Sequence, residues 1–378
     1  MKTAQHHFIN NKWIDFNPDN AINSAKCQLV LVFGAAELIT VPEVYEHLKI
    51  KYPIADIVFS STSGEILDNE VYDDSIVVTG IEFEKSSISC ATTHVSSQAS
   101  SFETGAYLMS QLDKNGLKCV FIISDGTFIN GSDLVAGFNS DNLDNIPVTG
   151  GLAGDAARFN STFTSLNSIP AQGNVTAIGF YGDDLVISHG SSGGWDEFGP
   201  QRTITRSDKN VLFEIDNKSA LDLYKEYLGE YVKELPGSAL LFPLSLSIAG
   251  SDKRLVRTIL SVNEQEKSMT FAGNLPEGSH VRLMKANFDK LIDASSTAAT
   301  DASDRVSDTN LAIMVSCVGR KLVLNERTDE ELMAAKEIFG DKTVIAGFYS
   351  YGELSPLNKG SNCELHNQTM TITTFTEN

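Results

Sequence analysis

Three stretches of the chain repeat one pattern of apolar and polar positions. Each begins with an uninterrupted apolar run, Leu29 to Gly34, Val120 to Ser124 and Leu311 to Cys317, as expected of a strand buried on both faces. A segment with helical spacing follows: Val41–Lys51, Ser132–Asn142 and Thr328–Phe339. A second apolar run then ends on a glycine and an acid, at Gly64-Glu65, Gly154-Asp155 and Gly352-Glu353. Strand, helix, strand in succession predicts an α/β fold with largely parallel pairing, and ligands of such sheets sit at the carboxyl ends of the strands, where these junctions fall. The middle junction, Ile146 to Phe159, concentrates Gly150, Gly151 and Gly154 before Asp155, so the backbone there turns tightly or comes close to another group. Plain turn chemistry uses the same residues, which leaves each acid open between a turn and a ligand role.

The remaining pattern fills in around these units. Residues 1–26 read as a polar arm or leading strand around Trp13. Ser75–Phe83 and Ile88–Val95 read as strands and Phe102–Lys114 as a helix. Val175–Tyr181 and Asp184–His189 read as a hairpin turning at Gly182-Asp183, with a loop at Gly190–Pro200 after it. Thr203–Ile215 reads as a pair of short strands, and Ser219–Tyr231 as a helix broken at Pro236-Gly237. The shift in composition places a domain boundary near 205–220, giving an arm at 1–26, a first domain at 27–210 and a second at 211–378. Strands at Ala239–Ile248, Leu255–Val262 and Ser268–Ala272, a helix at Lys285–Ala299 and a closing strand at Glu364–Phe375 complete the second half. The expected architecture is two packed α/β domains of repeated strand-helix-strand units with mixed sheets.

Charge narrows the partners. A formal net charge of −20 over 378 residues argues against nucleic acid or an anionic membrane surface. The N-terminal residues lack the apolar core of a secretory signal, and no run is long enough to span a bilayer, so a cytoplasmic location without membrane insertion is expected. Cys27, Cys90, Cys119, Cys317 and Cys363 are scattered and odd in number, which suggests neither a disulfide framework nor a zinc site.

Catalytic motifs are weak. Gly190-Ser191-Ser192-Gly193-Gly194 matches G-x-S-x-G, but the following Gly-Gly-Trp-Asp-Glu-Phe-Gly-Pro cannot start the helix that a nucleophile elbow needs. No phosphate-binding loop, dinucleotide fingerprint or H-E-x-x-H occurs. An enzyme is therefore not expected, although Ser191, His189 and Asp155 would form a reactive group if they met in space. His94, His189 and His366 fall on apolar strand faces, which suits either a core histidine or a haem iron ligand, whereas His6, His7, His47 and His280 are expected to face solvent. Trp195 sits in a glycine-rich loop able to fold over a cavity. Tyr349 and Tyr351 alternate sides of a strand, so that one of them faces the same cleft as Glu353.

Several of these segments, Gly150-Gly151-Leu152-Ala153-Gly154-Asp155, Gly193-Gly194-Trp195, Phe242-Pro243-Leu244, Pro276-Glu277-Gly278, Phe348-Tyr349-Ser350-Tyr351-Gly352-Glu353 and Leu365-His366-Asn367-Gln368-Thr369-Met370-Thr371, together resemble the FIST family. The resemblance covers about residues 27–375, as an N-terminal and a C-terminal FIST domain. It implies a bacterial signal-transduction sensor that binds a small ligand, commonly taken to be an amino acid, and serves histidine kinases, chemoreceptors or cyclic-di-GMP enzymes. Stand-alone members of this length also resemble haem-binding nitric-oxide sensors that regulate a partner histidine kinase. Haem would take one of His366, His189 or His94, in that order, as its iron ligand, with Arg158 and Arg320 near the propionates. The alternative is an amino-acid-type ligand, with Glu65, Asp155 or Glu353 meeting its ammonium and the amides around Gly151 and Gly154 its carboxylate. The oligomeric state stays open between monomer and homodimer.

Overall fold

Each of the three apolar runs forms, with the run that follows it, the parallel centre of a six-stranded sheet. The computed structural model describes residues 1–16, 22–235, 237–248, 254–303 and 309–378. The first sheet runs β11 (Thr164–Leu166), β4 (Asp56–Ser61), β3 (Leu29–Gly34), β7 (Ile76–Glu82), β1 (Lys2–Ile9), β2 (Lys12–Phe16). The second runs β25 (Cys363–His366), β24 (Gly352–Pro356), β10 (Val148–Leu152), β9 (Leu117–Ser124), β12 (Asn174–Tyr181), β8 (Ser87–His94). The third runs β13 (Leu185–Ser192), β26 (Met370–Glu377), β22 (Leu311–Cys317), β23 (Val344–Ser350), β5 (Glu65–Leu67), β6 (Glu70–Tyr72).

The sheets are completed by exchange. The strand that follows each parallel pair leaves for a different sheet: β5 pairs with β23, β24 with β10, and β11 with β4, all antiparallel. The exchange closes a ring in which every repeat completes its neighbour. The fold is mixed α/β, and the two packed halves interleave, since strands of the C-terminal half lie in the second sheet and strands of the N-terminal half in the third.

Packing explains the uninterrupted apolar runs. Leu29, Leu31 and Phe33 of β3 join Phe121 and Ile123 of β9 and Ile313 and Val315 of β22 in one core between the three sheets. Val30 and Val32 instead face outward against α1 (Ala36–Ile39) and α2 (Pro42–Lys51). In the second sheet Val120 and Ile122 meet α3 (Ser101–Ser110) and α4 (Gly131–Ser140), and in the third Ala312 and Met314 meet α6 (Phe288–Ser303) and α7 (Thr328–Phe339). Both faces of each parallel pair are buried, which removes polar alternation. Gly151 lies where the second and third sheets approach; a Cβ there would stand 2.7 Å from Val315 Cγ1.

A fourth sheet has its own core. Its order is β18 (Arg254–Arg257), β17 (Leu244–Ser247), β21 (His280–Lys285), β14 (Asp196–Asp208), β15 (Val211–Ile215), β20 (Ser268–Phe271), β19 (Ile259–Asn263), with β16 (Lys218–Ser219) beside β15 and α5 (Ala220–Leu228) packed on it.

Some expectations change. Val175–Tyr181 and Asp184–His189 are not a hairpin, because β12 pairs with β8 and β9 whereas β13 pairs with β26 in another sheet. The expected loop at 190–200 shrinks to residues 193–195, the rest being taken up by the end of β13 and the start of β14. The closing strand is two, β25 and β26, in different sheets. His280 lies in β21 rather than a turn, and His6 and His7 are buried. Pro236 lies outside the described residues.

Candidate functional site

The three Gly-acid junctions meet. Ser63 N donates to Tyr349 O at 2.8 Å and Tyr349 N to Gly64 O at 2.9 Å, joining the first junction to the third. Gly154 N donates to Ser61 O and Ala156 N to Thr62 O, both at 3.0 Å, joining the second to the first. Tyr351 N donates to Leu152 O at 3.1 Å, which completes the ring. Gly154 is required by this closeness, since a Cβ on it would stand 2.3 Å from Ser63 Oγ.

The acids, however, do not open into one cleft. Glu65, Asp155 and Glu353 are 1%, 1% and 0% exposed. Glu65 accepts from Thr62 Oγ1 at 2.5 Å and Ser75 Oγ at 2.8 Å, and Glu353 from Ser350 Oγ at 2.9 Å and Thr369 N at 3.2 Å. Burial in this dry setting pushes the carboxyl of each glutamate up to about 8. Both are structural groups whose neutral form burial favours.

Asp155 organises a different feature. Its Oδ2 accepts from Asn160 N at 3.0 Å and Ser161 N at 2.8 Å, and its Oδ1 from the Tyr351 hydroxyl. The same hydroxyl accepts from Phe159 N at 2.9 Å, and the Phe159 ring stacks on Tyr351 with centroids 4.4 Å apart and planes 16° apart. Ala156 and Phe159 both adopt left-handed backbone, with φ of 60° and 51°. That conformation is costly for a side chain bearing a Cβ and recurs at functional sites.

Tyr351 and Phe159 form one wall of a pocket of about 290 Å3 at the carboxyl ends of β9 and β10. The turn Gly126 to Gly131 forms a second wall, and Asn210, Leu260 and Phe271 of the fourth sheet region close the far side. Asp125 shapes the turn: its Oδ1 accepts from Thr127 N at 2.8 Å and Phe128 N at 2.7 Å, its Oδ2 from Thr162 Oγ1 at 2.9 Å and Gly173 N at 3.0 Å. Asn130 caps α4 by accepting from Asp133 N at 3.1 Å, and its Nδ2 donates to Asn274 Oδ1 at 2.9 Å. Asn274 in turn donates to Asp133 Oδ1 at 2.8 Å and to Ser132 Oγ at 3.1 Å, so one asparagine couples the pocket turn to the fourth sheet. Three large apolar side chains face water at this pocket: Phe128 is 60% exposed, Phe159 45% and Leu260 42%. Sequence reasoning reached Asp155 and Tyr351 but missed Phe128, Phe159 and Phe271. The signal lay in Asp125-Gly126, an acid-glycine pair directly after an apolar strand.

The FIST N domain matches residues 28–218 and the FIST C domain residues 220–356. The chain belongs to the FIST family. FIST domains are signal-transduction sensor domains that bind small ligands. An uncharacterized protein of Methanocaldococcus jannaschii is 22% identical over 79% of this chain and 61% of its own length, so the chain spans about three fifths of that relative. A crystal structure of cyanuric acid hydrolase from A. caulinodans is similar at 8% identity and a TM-score of 0.38, covering 100% of this chain and 99% of that one; at that score the likeness carries no argument about chemistry.

The haem expected from the resemblance does not fit the residues present. His94 is exposed at the end of β8, with Nδ1 2.7 Å from Ser96 Oγ. His366 closes β25, away from Met370 and Ile372, and donates Nε2 to Ser355 O at 2.9 Å; burial pushes its pKa down to about 4. His189 borders a second pocket, of about 410 Å3, whose walls include Ser191, Asp301, Asn358 and Lys359 rather than an apolar slot. Arg320 is fully buried against Glu331 at 2.7 Å and the carbonyls of Gly193 and Leu291, and Arg158 pairs with Glu37 at 2.9 Å, so neither is placed for a propionate. Among the described residues no cluster of three or more His, Cys, Asp or Glu could hold a metal ion, and no helix is long and apolar enough to cross a membrane.

Other expected site residues serve the framework. Trp195 does not cover a cavity; its indole donates to Gln368 O at 2.9 Å and packs on Leu291 and Val323. Tyr349 is buried with its hydroxyl on Glu331 at 2.7 Å, leaving Tyr351 as the tyrosine at the pocket, beside Asp155 instead of Glu353. Ser191 and His189 border the second pocket while Asp155 supports the first, so those three residues do not line one pocket.

Proposed function

We propose that this FIST protein senses a small ligand with a flat apolar face, held in the pocket between the second sheet and the fourth. The observation that carries the reading is Phe159: it sits in left-handed backbone, stacks on Tyr351 and still leaves 45% of its surface to water. A ligand ring laid on it would bury that surface, with a benefit of roughly 0.5–1.5 kcal/mol beyond area burial for an aromatic pair. Thr127, Asn130 and Asn210 are the side chains nearby for the ligand's polar end. Because Asn274 ties the pocket turn to the fourth sheet, filling the pocket favours one placement of that sheet, and a separate partner such as a histidine kinase or cyclic-di-GMP enzyme reads the difference.

An amino-acid ligand fits only if its side chain supplies the flat face, since Glu65, Asp155 and Glu353 are already bonded internally. Haem-based nitric-oxide sensing ranks below both, given the placement of the three histidines. A thermal-shift screen of aromatic compounds, amino acids and haemin, run on the natural chain and on Phe159→Ser, tests the proposal. Stabilisation by a ring-bearing compound that is lost in Phe159→Ser supports it; a histidine-dependent Soret band, or ligands indifferent to Phe159→Ser, overturns it.

A further inference from the structure

The outermost strand of the second sheet, β8, pairs only with β12. Along its other edge no backbone N–H or C=O of Ser87–His94 has a partner among the described residues. The internal repeat shows what such an edge accommodates. In the first sheet β1 holds the equivalent place, pairing with β7 as β8 pairs with β12, and its outer edge carries one further antiparallel strand, β2. In the third sheet β13 holds that place, and its edge borders the 410 Å3 pocket closed by Leu357, Asn358 and Lys359. Among the described residues neither β8 nor β13 has a strand on that edge, and β8 alone of the two borders no such pocket.

Natural sheets guard open edges with charge, proline, bulges or very short strands. Here β8 has eight residues, Ser-Ile-Ser-Cys-Ala-Thr-Thr-His, without proline, and pairs with β12 without a bulge. From Ser86 to Phe102 the chain contains no Asp, Glu, Lys or Arg, although its formal net charge is −20. Two copies repel over most of their surface, whereas this strand itself adds no charge and the carboxylate beside it is Asp56 of β4, hydrogen-bonded to Cys90.

We infer that β8 pairs antiparallel with β8 of a second copy, joining two six-stranded sheets into one. A twofold axis perpendicular to the sheet keeps like faces together, so directly opposed residues share parity, and the central pair is Cys90 with Cys90 or Ala91 with Ala91. Ile88 and Cys90 then extend the inner apolar layer across the junction, while Ser87 and Ser89 stay exposed on the outer face. Main-chain hydrogen bonds carry the contact, as in other strand additions.

Sedimentation velocity over a micromolar concentration series tests this on the full chain. A twofold rise in mass is expected for the natural protein and a monomer for S87K/S89K, which gathers ammonium groups around the axis without touching the core. A natural chain that stays monomeric overturns the inference, and so does a dimer that persists in S87K/S89K. Amide exchange gives a reading independent of any variant: the outward amides of residues 87–94 become more protected as concentration rises, and exchange indifferent to concentration counts against the pairing.

Discussion

Tyr351 donates its hydroxyl hydrogen to Asp155, 196 positions earlier in the chain, and so ties the third repeat to the second at the wall of the pocket. Tyr351→Phe keeps the ring on Phe159 but leaves a 1%-exposed carboxylate with only its two backbone donors. The expected loss is about 1–3 kcal/mol, read by urea denaturation. A change within error would mean that water replaces the phenol.

Arg320 and Glu331 are both fully buried and 2.7 Å apart. Arg320→Met strands Glu331 in the interior and is expected to cost about 3–5 kcal/mol, whereas Arg320→Met with Glu331→Leu costs less than the single change, because the uncompensated charge is gone. Equilibrium denaturation of the two variants orders them.

Stability should fall at both ends of the pH scale for different reasons. Glu65 and Glu353 have carboxyls raised from 4.5 to about 8, so their contribution is complete below about 4.5 and is lost as pH rises through about 8. His366 is lowered from 6.5 to about 4, so its contribution is present above 6.5 and lost as pH falls through about 4. Melting temperatures across this range should therefore peak between the two limits. Glu353→Gln should flatten the alkaline arm and leave the acid arm in place.

Gly154→Ala places a Cβ 2.3 Å from Ser63 Oγ and 2.9 Å from Ser63 N. Since one of those atoms is backbone, the junction must shift, at an expected cost of about 1–3 kcal/mol in thermal or chemical unfolding. Adding Ser63→Gly removes the hydroxyl clash but not the backbone one, so recovery should be partial.

How much was legible in the chain follows from what each segment touches. Leu29–Gly34, Leu311–Cys317 and Thr328–Phe339 have the bounds their patterns predict, because burial on both faces of a parallel pair, or on one face of a helix, writes itself into neighbouring residues. The exchanged strands β5 and β11 have three residues each, too few to show a period, and their partners lie in other repeats. Val175–Tyr181 and the strand after it look like a hairpin locally, and only the third sheet's need for an edge strand separates them. At the pocket, Asp155 and Tyr351 stood out through their glycine neighbours. Phe128 and Phe271 did not, since an aromatic beside a turn or inside a strand carries no mark of the cavity that distant segments build around it.

The ring of exchanged strands also sets the order in which the chain can become itself. The first sheet needs β11, at residue 164, to cover β4, but the second waits for β24 at 352 and the third for β26, ending at 377. A ribosome releasing this polypeptide from its N-terminus therefore leaves β10 with a bare flank for most of synthesis, and β5 without the sheet it joins. Such distant pairings make for slow, late folding and a lasting need for protection from aggregation. The three repeats look like separate building blocks, yet none of them can finish folding before the last one has emerged.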